Sequence, residues 1–577
     1  MILLEKIEKK FLVVLIFLLL LFIVLLTLKN EAFDDLVFDY TGYALRMNTF
    51  LEPWINNYGM GIPTTIAQTL TLIFPLIFKS LGFGLVTLPL VLGLLLFRLI
   101  TPFAFVALKK IVDIDWRLLV LGGIFFVFNP VSVNFLHRYL EFTGWFFFIF
   151  AFSFFYEFIS VKNPNKKSLF FSVLFSLFTI LSHTIPTIFL FFSFLALSIS
   201  REDFKRAFLV IVASLCLSAF WLFPTIAFQE YSLLSLTTKG LIAINTPGIF
   251  LSSMVLTFIL FAICIFSYVL KIHKSNLRLF QFFYCVFALS LVKIFLSGLP
   301  VISMIFAHSY HVFFIFSALL FLFLLVKKKL VKERYVWILI LLFLLSSFLI
   351  FPARYGVEPR FSDQYDLNKF ELIFSKIPKN ERVELLPADG AFLSYYSYLY
   401  GFSVVDQYIY VPLRSTDKQV TLLVSNFDNF SRDCKEFNEL AEKTAINYWI
   451  ANSDEAKSYL TNCGMKNLNN ELPILFKSHS EINLVENGSL VSMENTKIVI
   501  NALPPSTLLK INYFPRWFAY AQEKELPIEN ANPGMRIKVE KPTTVELHYS
   551  SSAVDWFSIF VSLFSAAIFL FFVNRRS

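Results

Sequence analysis

Charged residues are scarce in this chain of 577 residues. Only 16% are Asp, Glu, Lys or Arg, against about 25% in an average soluble domain. Hydrophobic residues reach 57%, 73 residues are Phe, and the mean hydropathy is +0.67. Three or four soluble domains with so little polar surface would not stay in solution. The composition therefore excludes an ordinary soluble protein and indicates that a bilayer surrounds most of the chain.

Signatures of soluble enzymes are also missing. The sequence contains no phosphate-binding loop, no dinucleotide fingerprint, no HExxH motif and no CxxC pair. An ATP-driven mechanism therefore has no recognisable site in this sequence.

Long apolar runs are abundant instead. A spanning helix needs about 20 apolar residues, and roughly 17 suffice. The run at 11–28 follows Lys6, Lys9 and Lys10 and is not followed by a small-residue cleavage site, so we interpret it as a retained span. The sequence predicts twelve spans, near 11–28, 83–108, 118–136, 143–160, 168–182, 184–200, 207–228, 249–270, 279–297, 300–326, 335–351 and 554–573.

Lys and Arg alternate along the loops in a way that predicts orientation. The N-terminus, every second loop and the C-terminus together hold 22 Lys and Arg, whereas the opposite loops of the membrane part hold 5. Because positive loops stay in the cytoplasm, both termini are predicted to be cytoplasmic in a multi-pass cell-membrane protein. The same alternation favours two spans within 168–200 over one long tilted helix.

The positive charge has a second candidate explanation, which is nucleic-acid binding. The net charge is +9 and the isoelectric point is about 9.0. Residues 352–552, however, hold 21 Lys and Arg against 25 Asp and Glu. The excess of positive charge lies in the membrane part, so it is a topology signal and we expect no nucleic-acid partner.

The predicted fold is a polytopic α-helical membrane protein with an extracytoplasmic C-terminal domain at 352–552. That domain is predicted to comprise an α/β portion and a β-sandwich-like portion, because helical spacing gives way to alternating strands. The membrane domain is predicted at 1–351, with a large first outer loop at 29–82, and a last span with a cytoplasmic tail is predicted at 553–577. Between them, the α/β portion is predicted at about 352–480 and the β-rich portion at about 481–548.

Local patterns in 352–552 predict particular elements. Asp366–Ile377 has helical spacing, Arg382–Leu386 is a short apolar run that ends at Pro387, and Ala445–Ile450 is a β-like run. Thr507–Tyr513 and Arg536–Glu540 alternate as strands do.

Two cysteines lie in this domain, in a compartment that permits oxidation. Cys434 and Cys463 flank a predicted helix, strand and helix, and we predict a disulfide between them. The other three cysteines lie in predicted spans and are interpreted as small packing residues.

Acidic residues concentrate in the first outer loop. Asp34, Asp35 and Asp39 lie there, followed by Trp54 and a Gly-rich turn at 57–63. Long structured loops tend to be functional. The alternative is that these acids simply solvate an outer loop.

In this order and topology, the chain resembles the GT-C integral-membrane glycosyltransferases. The nearest likeness is to arabinofuranosyltransferase-like and YfhO-like multispan proteins. The matching features are Asp34, Asp35 and Asp39 after one span, Trp54 with the turn Asn57–Pro63, Gln68 with Pro75, Phe128–Pro130, Ser218–Pro224, and Tyr513–Ala519 before a last span.

The resemblance implies an outer-face transferase that takes a sugar from a polyprenyl-phosphate carrier and passes it to a glycan, glycolipid or protein. Such enzymes place a catalytic acid in the first outer loop, and Asp39 matches best, with Asp34 and Asp35 in reserve. A carboxylate suits this role because the attacking hydroxyl must lose a proton. Asp34 and Asp35 are also candidate ligands for a divalent metal such as Mg²⁺ or Mn²⁺.

The leaving lipid phosphate needs groups that hold its charge. Arg138 and Lys293 are the first choices among the polar residues near the outer face, and Arg98 is expected to lie deeper, towards the cytoplasm. Other substrate-binding candidates are His183, Glu230, His308, His311 and, for sugar stacking, Trp54. Snorkelling, interhelical hydrogen bonds and interfacial aromatic belts are the structural alternatives for these residues.

Two other functions stay open. A transporter or flippase of a lipid-linked saccharide would have internal repeats and polar groups throughout the bilayer depth. A non-catalytic cell-envelope assembly protein would use the spans as an anchor.

Overall fold

A computed structural model describes most of the helices and the C-terminal region. The described residues are 54–55, 62–63, 88–129, 139–161, 165–228, 247–271, 276–295, 307–342, 344, 366–386, 393, 396–397, 400–404, 433–469, 471, 473–479, 481–511, 513–531 and 534–574.

The first half of the described chain is a helix bundle. After the short antiparallel pair β1 (Trp54–Ile55) and β2 (Ile62–Pro63), its helices are α1 (Leu88–Ala104), α2 (Trp116–Phe128), α3 (Tyr139–Ser160), α4 (Lys166–Ser182), α5 (Thr184–Leu197), α6 (Arg201–Leu217), α7 (Ala219–Ala227), α8 (Pro247–Val269), α9 (Leu277–Phe295) and α10 (Ala307–Lys327). A 3-10 helix, Phe105–Lys110, extends α1, and residues 333–342 are helical.

Each of the eleven predicted spans after the first contains a helix in the structure. Within the part of the chain that the structure describes, three helical segments are long and apolar enough to cross a membrane: Phe142–Ser160, Tyr310–Lys327 and Ala553–Asn574. The pair α6 and α7, bent by 75°, makes a fourth if it is one span, and several apolar helices are shorter. The chain thus has the helices of a membrane protein. The count of twelve spans stays a prediction, and the first run at 11–28 lies outside the described residues.

Capping residues set where the helices begin. Asp115 and Asn165 accept hydrogen bonds from the backbone at the starts of α2 and α4, and Ser200 forms a capping box with Asp203 at the start of α6. His183 interrupts the apolar run 168–200 with extended backbone, φ −163° and ψ 136°. The structure therefore has two helices there, α4 and α5, as the charge alternation predicts.

Polar contacts join helix ends at one end of the bundle, which we call the Lys110 end. They connect the end of α1 with the end of α3, the start of α6 with the start of α9, and the end of α10 with the segment after α1. The contacts are Lys110 Nζ to Glu157 Oε2 at 2.6 Å, Arg278 Nη2 to Asp203 Oδ2 at 2.9 Å, and Lys327 Nζ to the Ile111 carbonyl at 2.9 Å. The helix ends that are rich in Lys and Arg thus lie together at the Lys110 end of the bundle.

A mixed sheet forms the first part of the C-terminal region. Its strand order is β4-β3-β5-β7-β6, in which β3 is parallel to β4 and β5 while β7 is antiparallel to β5 and β6. Its elements are α11 (Leu367–Phe374), β3 (Arg382–Leu386), β4 (Ser403–Val404), α12 (Cys434–Thr444), β5 (Ile446–Ala451), α13 (Asp454–Asn462), β6 (Lys466–Asn467) and β7 (Ile474–Lys477). The predicted helix at 366–377 and the predicted strands at 382–386 and 445–450 are confirmed.

Two antiparallel sheets form the second part. Their strand orders are β13-β12-β16-β10-β9 and β14-β15-β11-β8. The strands are β8 (Val485–Glu486), β9 (Gly488–Met493), β10 (Lys497–Ala502), β11 (Ser506–Leu509), β12 (Trp517–Ala521), β13 (Lys524–Leu526), β14 (Ile528–Asn530), β15 (Met535–Lys538) and β16 (Thr543–Tyr549). Burial alternates along β10, β11 and β16, so each of these strands has one face in the core. The predicted β-rich region is confirmed.

The last helix, α14 (Ala553–Asn574), returns to the bundle. The Ser562 hydroxyl accepts a hydrogen bond from the Phe220 amide at 2.8 Å, and the rings of Phe569 and Phe170 stack 6.1 Å apart. Because Phe170 lies near the start of α4, α14 ends near the Lys110 end. It begins at the opposite end, beside α7, where the rings of Phe223 and Phe557 stack 6.2 Å apart.

Candidate functional site

The end of the bundle opposite the Lys110 end carries a buried cation. Asn129 closes α2 there, with Nδ2 donating to the Phe126 carbonyl at 2.7 Å, and we call this the Asn129 end. Arg98 of α1 is 1% exposed, and its Nη2 donates to the Val127 carbonyl at 3.2 Å. Its guanidinium carbon lies 4.5 Å from the centroid of the Phe142 ring. A buried charge inside a helix bundle is costly and marks a functional candidate.

An aromatic cluster surrounds Trp145 beside this cation. Trp145 is fully buried, and its ring lies 6.0 Å from Phe126, 5.9 Å from Phe189 and 6.4 Å from Phe313. The rings of Phe126 and Phe142 are 6.3 Å apart, which links the cluster to Arg98. Four helices, α2, α3, α5 and α10, thus supply the apolar wall next to the buried guanidinium.

Gly144 allows two of these helices to approach closely. A Cβ atom at this position would lie 2.8 Å from Pro186 Cγ and 3.3 Å from His183 Cβ, inside normal contact distances. Any larger residue would separate α3 from the start of α5.

Two of the predicted site histidines reach this end of the bundle. His183 is half-buried and caps α5, its Nδ1 accepting from the Ile185 amide at 3.3 Å. His311 on α10 is 4% exposed and follows Tyr310, whose ring lies 5.2 Å from that of Phe189. The structure assigns His183 a helix-capping role, which the sequence pattern did not predict.

The other predicted site residues are outside the described part or are described only by their backbone. Trp54 lies in β1, Lys293 in α9 and His308 near the start of α10. The residues outside the described part are Asp34, Asp35, Asp39, Arg138 and Glu230. Their roles stay predictions, and so does metal binding by Asp34 and Asp35. Among the described residues, no group of three or more His, Cys, Asp or Glu side chains is arranged to hold a metal ion.

The C-terminal region is attached at the Asn129 end. Phe228 follows α7 and packs against Phe514, with ring centroids 5.2 Å apart. The guanidinium carbon of Arg516 lies 5.2 Å from the Phe228 centroid, and Arg516 forms an ion pair with Asp555 in the first turn of α14. One motif of the resemblance, Tyr513–Ala519, therefore lies in this junction, and another, Ser218–Pro224, ends four residues before Phe228.

The cysteines of the C-terminal region form the predicted disulfide. Cys434 at the start of α12 is bonded to Cys463 after α13, with Cα atoms 4.9 Å apart. The helix, strand and helix predicted between them are α12, β5 and α13.

Arg98 is the residue whose importance the sequence patterns understated. The sequence predicts a position towards the Lys- and Arg-rich end of its span, whereas in the structure it contacts the Val127 carbonyl and the Phe142 ring near the Asn129 end. The available signal was a lone Arg inside an apolar run, 31 residues before the Asn129 position that ends the next span. Only the packing of α1 against α2 and α3 brings these residues together.

Comparison with protein-family models gives no match, and comparison with curated proteins gives none either.

Proposed function

We propose that this protein is a membrane glycosyltransferase that moves a sugar from a polyprenyl-phosphate carrier to a glycan, glycolipid or protein acceptor. One observation supports this most: the buried Arg98 guanidinium adjoins an aromatic wall at the end of the bundle where the C-terminal region is attached. A cation beside apolar rings suits a ligand with a phosphate head and a hydrocarbon tail.

In this proposal the Lys110 end faces the cytoplasm and the Asn129 end faces outward. The concentration of Lys and Arg at the Lys110 end supports that orientation. Both termini would then be cytoplasmic, and residues 352–552 would be extracytoplasmic and close to the reacting groups.

Asp39 serves as the general base in the proposed reaction. The acceptor hydroxyl gives its proton to the Asp39 carboxylate, and its oxygen forms a bond to the anomeric carbon of the donor sugar. The bond from that carbon to the carrier phosphate breaks, and the electron pair leaves with the phosphate oxygen. Arg98, Arg138 and Lys293 stabilise the negative charge of the phosphate.

The decisive experiment uses the full-length chain in lipid nanodiscs with a polyprenyl-phosphate-linked sugar and a panel of glycan acceptors. We expect Asp39→Asn to abolish transfer, because an amide cannot accept the proton. Asp113→Asn is the matched control, since Asp113 is exposed near the Lys110 end. Equal transfer by the Asp39→Asn variant and the wild type would refute the assigned base.

A flippase would behave differently in the same preparation. In sealed vesicles it would move the lipid-linked saccharide between leaflets without forming a new glycosidic bond. Translocation without transfer would therefore exclude the transferase proposal.

A further inference from the structure

A polar cleft lies between the mixed sheet and the antiparallel sheets of the C-terminal region. Its volume is about 750 Å³, and its walls come from α12, the turn after α13, the segment 478–488 and Lys510. Small-molecule sites occupy about 300–1,000 Å³. The cleft therefore has the size of a ligand site, and it is separate from the Arg98 site.

The walls of this cleft are fixed by hydrogen bonds. Asn447 of β5 donates from Nδ2 to Glu381 Oε2 at 2.7 Å and to the Ile482 carbonyl at 2.9 Å, and its Oδ1 accepts from the Ile482 amide at 2.9 Å. The Lys510 amide donates to the Leu484 carbonyl at 2.9 Å. The Cys434–Cys463 disulfide joins α12 to the turn that forms the opposite wall. The site is thus held in shape without a ligand.

Lys510 is the unusual residue of the cleft. It lines the cleft and is 5% exposed, and no side-chain hydrogen bond or ion pair joins its ammonium group to the described residues. Burial lowers the pKa of Lys510, and the charges of Glu486 and Glu442 partly offset that effect. Withdrawing most of a lysine side chain from water without giving its ammonium group a hydrogen-bond acceptor is costly. A ligand in the cleft would supply the missing acceptor.

The remaining charged groups of the cleft restrict the chemistry of that ligand. Four carboxylates line it, from Glu439, Glu442, Glu481 and Glu486, together with Lys435 and His479. Carboxylates only accept hydrogen bonds, whereas the lysine ammonium only donates them. The carboxylates would repel a polyanion, and the ammonium groups of a polycation, which only donate hydrogen bonds, would leave Lys510 without an acceptor. Hydroxyl groups both donate and accept, so a neutral polyhydroxylated ligand satisfies both kinds of group at once.

We propose that this cleft binds a short neutral saccharide whose hydroxyls accept from Lys510 and donate to Glu442 and Glu486. That the saccharide is part of the transferase acceptor rests on the proposed function. The binding itself rests only on the geometry of the cleft.

The test titrates defined tetrasaccharides into the full-length chain in nanodiscs by calorimetry. The probes are chitotetraose, cellotetraose and an α-1,6-mannotetraose, with tetralysine and inorganic phosphate as charged alternatives. We expect at least one tetrasaccharide to bind, and Lys510→Met to weaken its Kd by about tenfold or more, as loss of a charge-assisted hydrogen bond does. Glu442→Gln is a second variant, at an exposed position where folding is not at risk. Lys541→Met is the matched control, because Lys541 is exposed and does not line the cleft.

Each outcome has a definite meaning. Failure of all three tetrasaccharides to bind overturns the proposal, and so does a Kd unchanged in both the Lys510→Met and Glu442→Gln variants. Binding of tetralysine or phosphate in their place assigns the cleft to a charged ligand and also overturns it. Asp39→Asn is expected to leave saccharide binding intact, so loss of the transferase proposal and loss of this one are distinguished by separate measurements.

Discussion

The ion pair between Arg516 and Asp555 joins the β-rich region to the last helix. The two side chains are 16% and 11% exposed. Asp555 Oδ2 also accepts from the Ser552 amide and hydroxyl, at 2.7 and 2.6 Å. Arg516 packs over the rings of Phe228 and Phe514, so one guanidinium contacts groups from both sides of the junction.

The expected cost of breaking this pair follows from its burial. Removing one partner of a fully buried pair costs about 3–5 kcal/mol, because the other charge is left uncompensated. Since both groups keep a little exposure, we expect Asp555→Asn and Arg516→Met each to lower the free energy of unfolding by about 2–4 kcal/mol. The double variant leaves no uncompensated charge, so its loss should be smaller than the sum of the two single losses by about 2 kcal/mol.

The measurement is a double-mutant cycle on the purified chain in one detergent. Unfolding by SDS is followed through tryptophan fluorescence, for which Trp517 and Trp556 are reporters adjacent to the two charges. The control is Lys538→Met, which breaks a pair with Glu529 whose side chains are 62% and 48% exposed. That exposed pair should contribute about 1 kcal/mol or less. Strictly additive losses in the cycle, or a cost of Asp555→Asn no greater than that of the control, would refute the anchoring role.

Three further predictions concern Arg98, the disulfide and Lys510. Arg98→Met should lower the kcat/KM of transfer by about 100-fold or more, and Arg98→Lys should lower it less. Arg201→Met at the Lys110 end should leave kcat/KM unchanged, and an equal kcat/KM for the Arg98→Met variant and the wild type would exclude Arg98 from phosphate stabilisation. Replacing both Cys434 and Cys463 by Ser should destabilise the C-terminal region by about 3.6 kcal/mol for a sequence separation of 29 residues, and reductant should destabilise the wild type but not this variant. Because the pKa of Lys510 is lowered in the folded state, the unfolded state binds more protons, and the free energy of unfolding rises with pH towards the unfolded pKa. Melting temperatures measured from about pH 8 to about pH 10 should show the wild type gaining stability relative to Lys510→Met, and the same pH dependence in both proteins would contradict this.

Short-range patterns in the sequence predict much of this fold. The strands at 382–386 and 446–451 and the two helices that flank the second strand depend on local hydrophobic runs and turn residues. The helix break at His183 follows from charge counting along the loops. These features are local, so each is encoded within about twenty residues of chain.

The site depends on contacts that are distant in sequence. Arg98 meets the Val127 carbonyl and the Phe142 ring only after three helices pack together. Nothing in the spacing of polar residues distinguishes His183, a helix cap, from a ligand-binding histidine. Lys510 resembles an ordinary surface lysine in a strand-rich sequence, and its burial arises only when β11 meets the segment around Leu484.

The Arg516–Asp555 junction connects the two proposed sites mechanically. Arg516 lies just before β12, and this strand pairs with β16, which leads directly into α14. The β-rich region is therefore tied to the bundle by both the α14 backbone and the contact with Phe228, and two attachments restrict rotation where a single chain connection would not. Lys510 precedes Arg516 by only a few residues, so the wall of the cleft and the anchor belong to one short segment. A saccharide held at Lys510 would thus be kept at a restricted distance from the Asn129 end, which is what transfer to a bound acceptor requires.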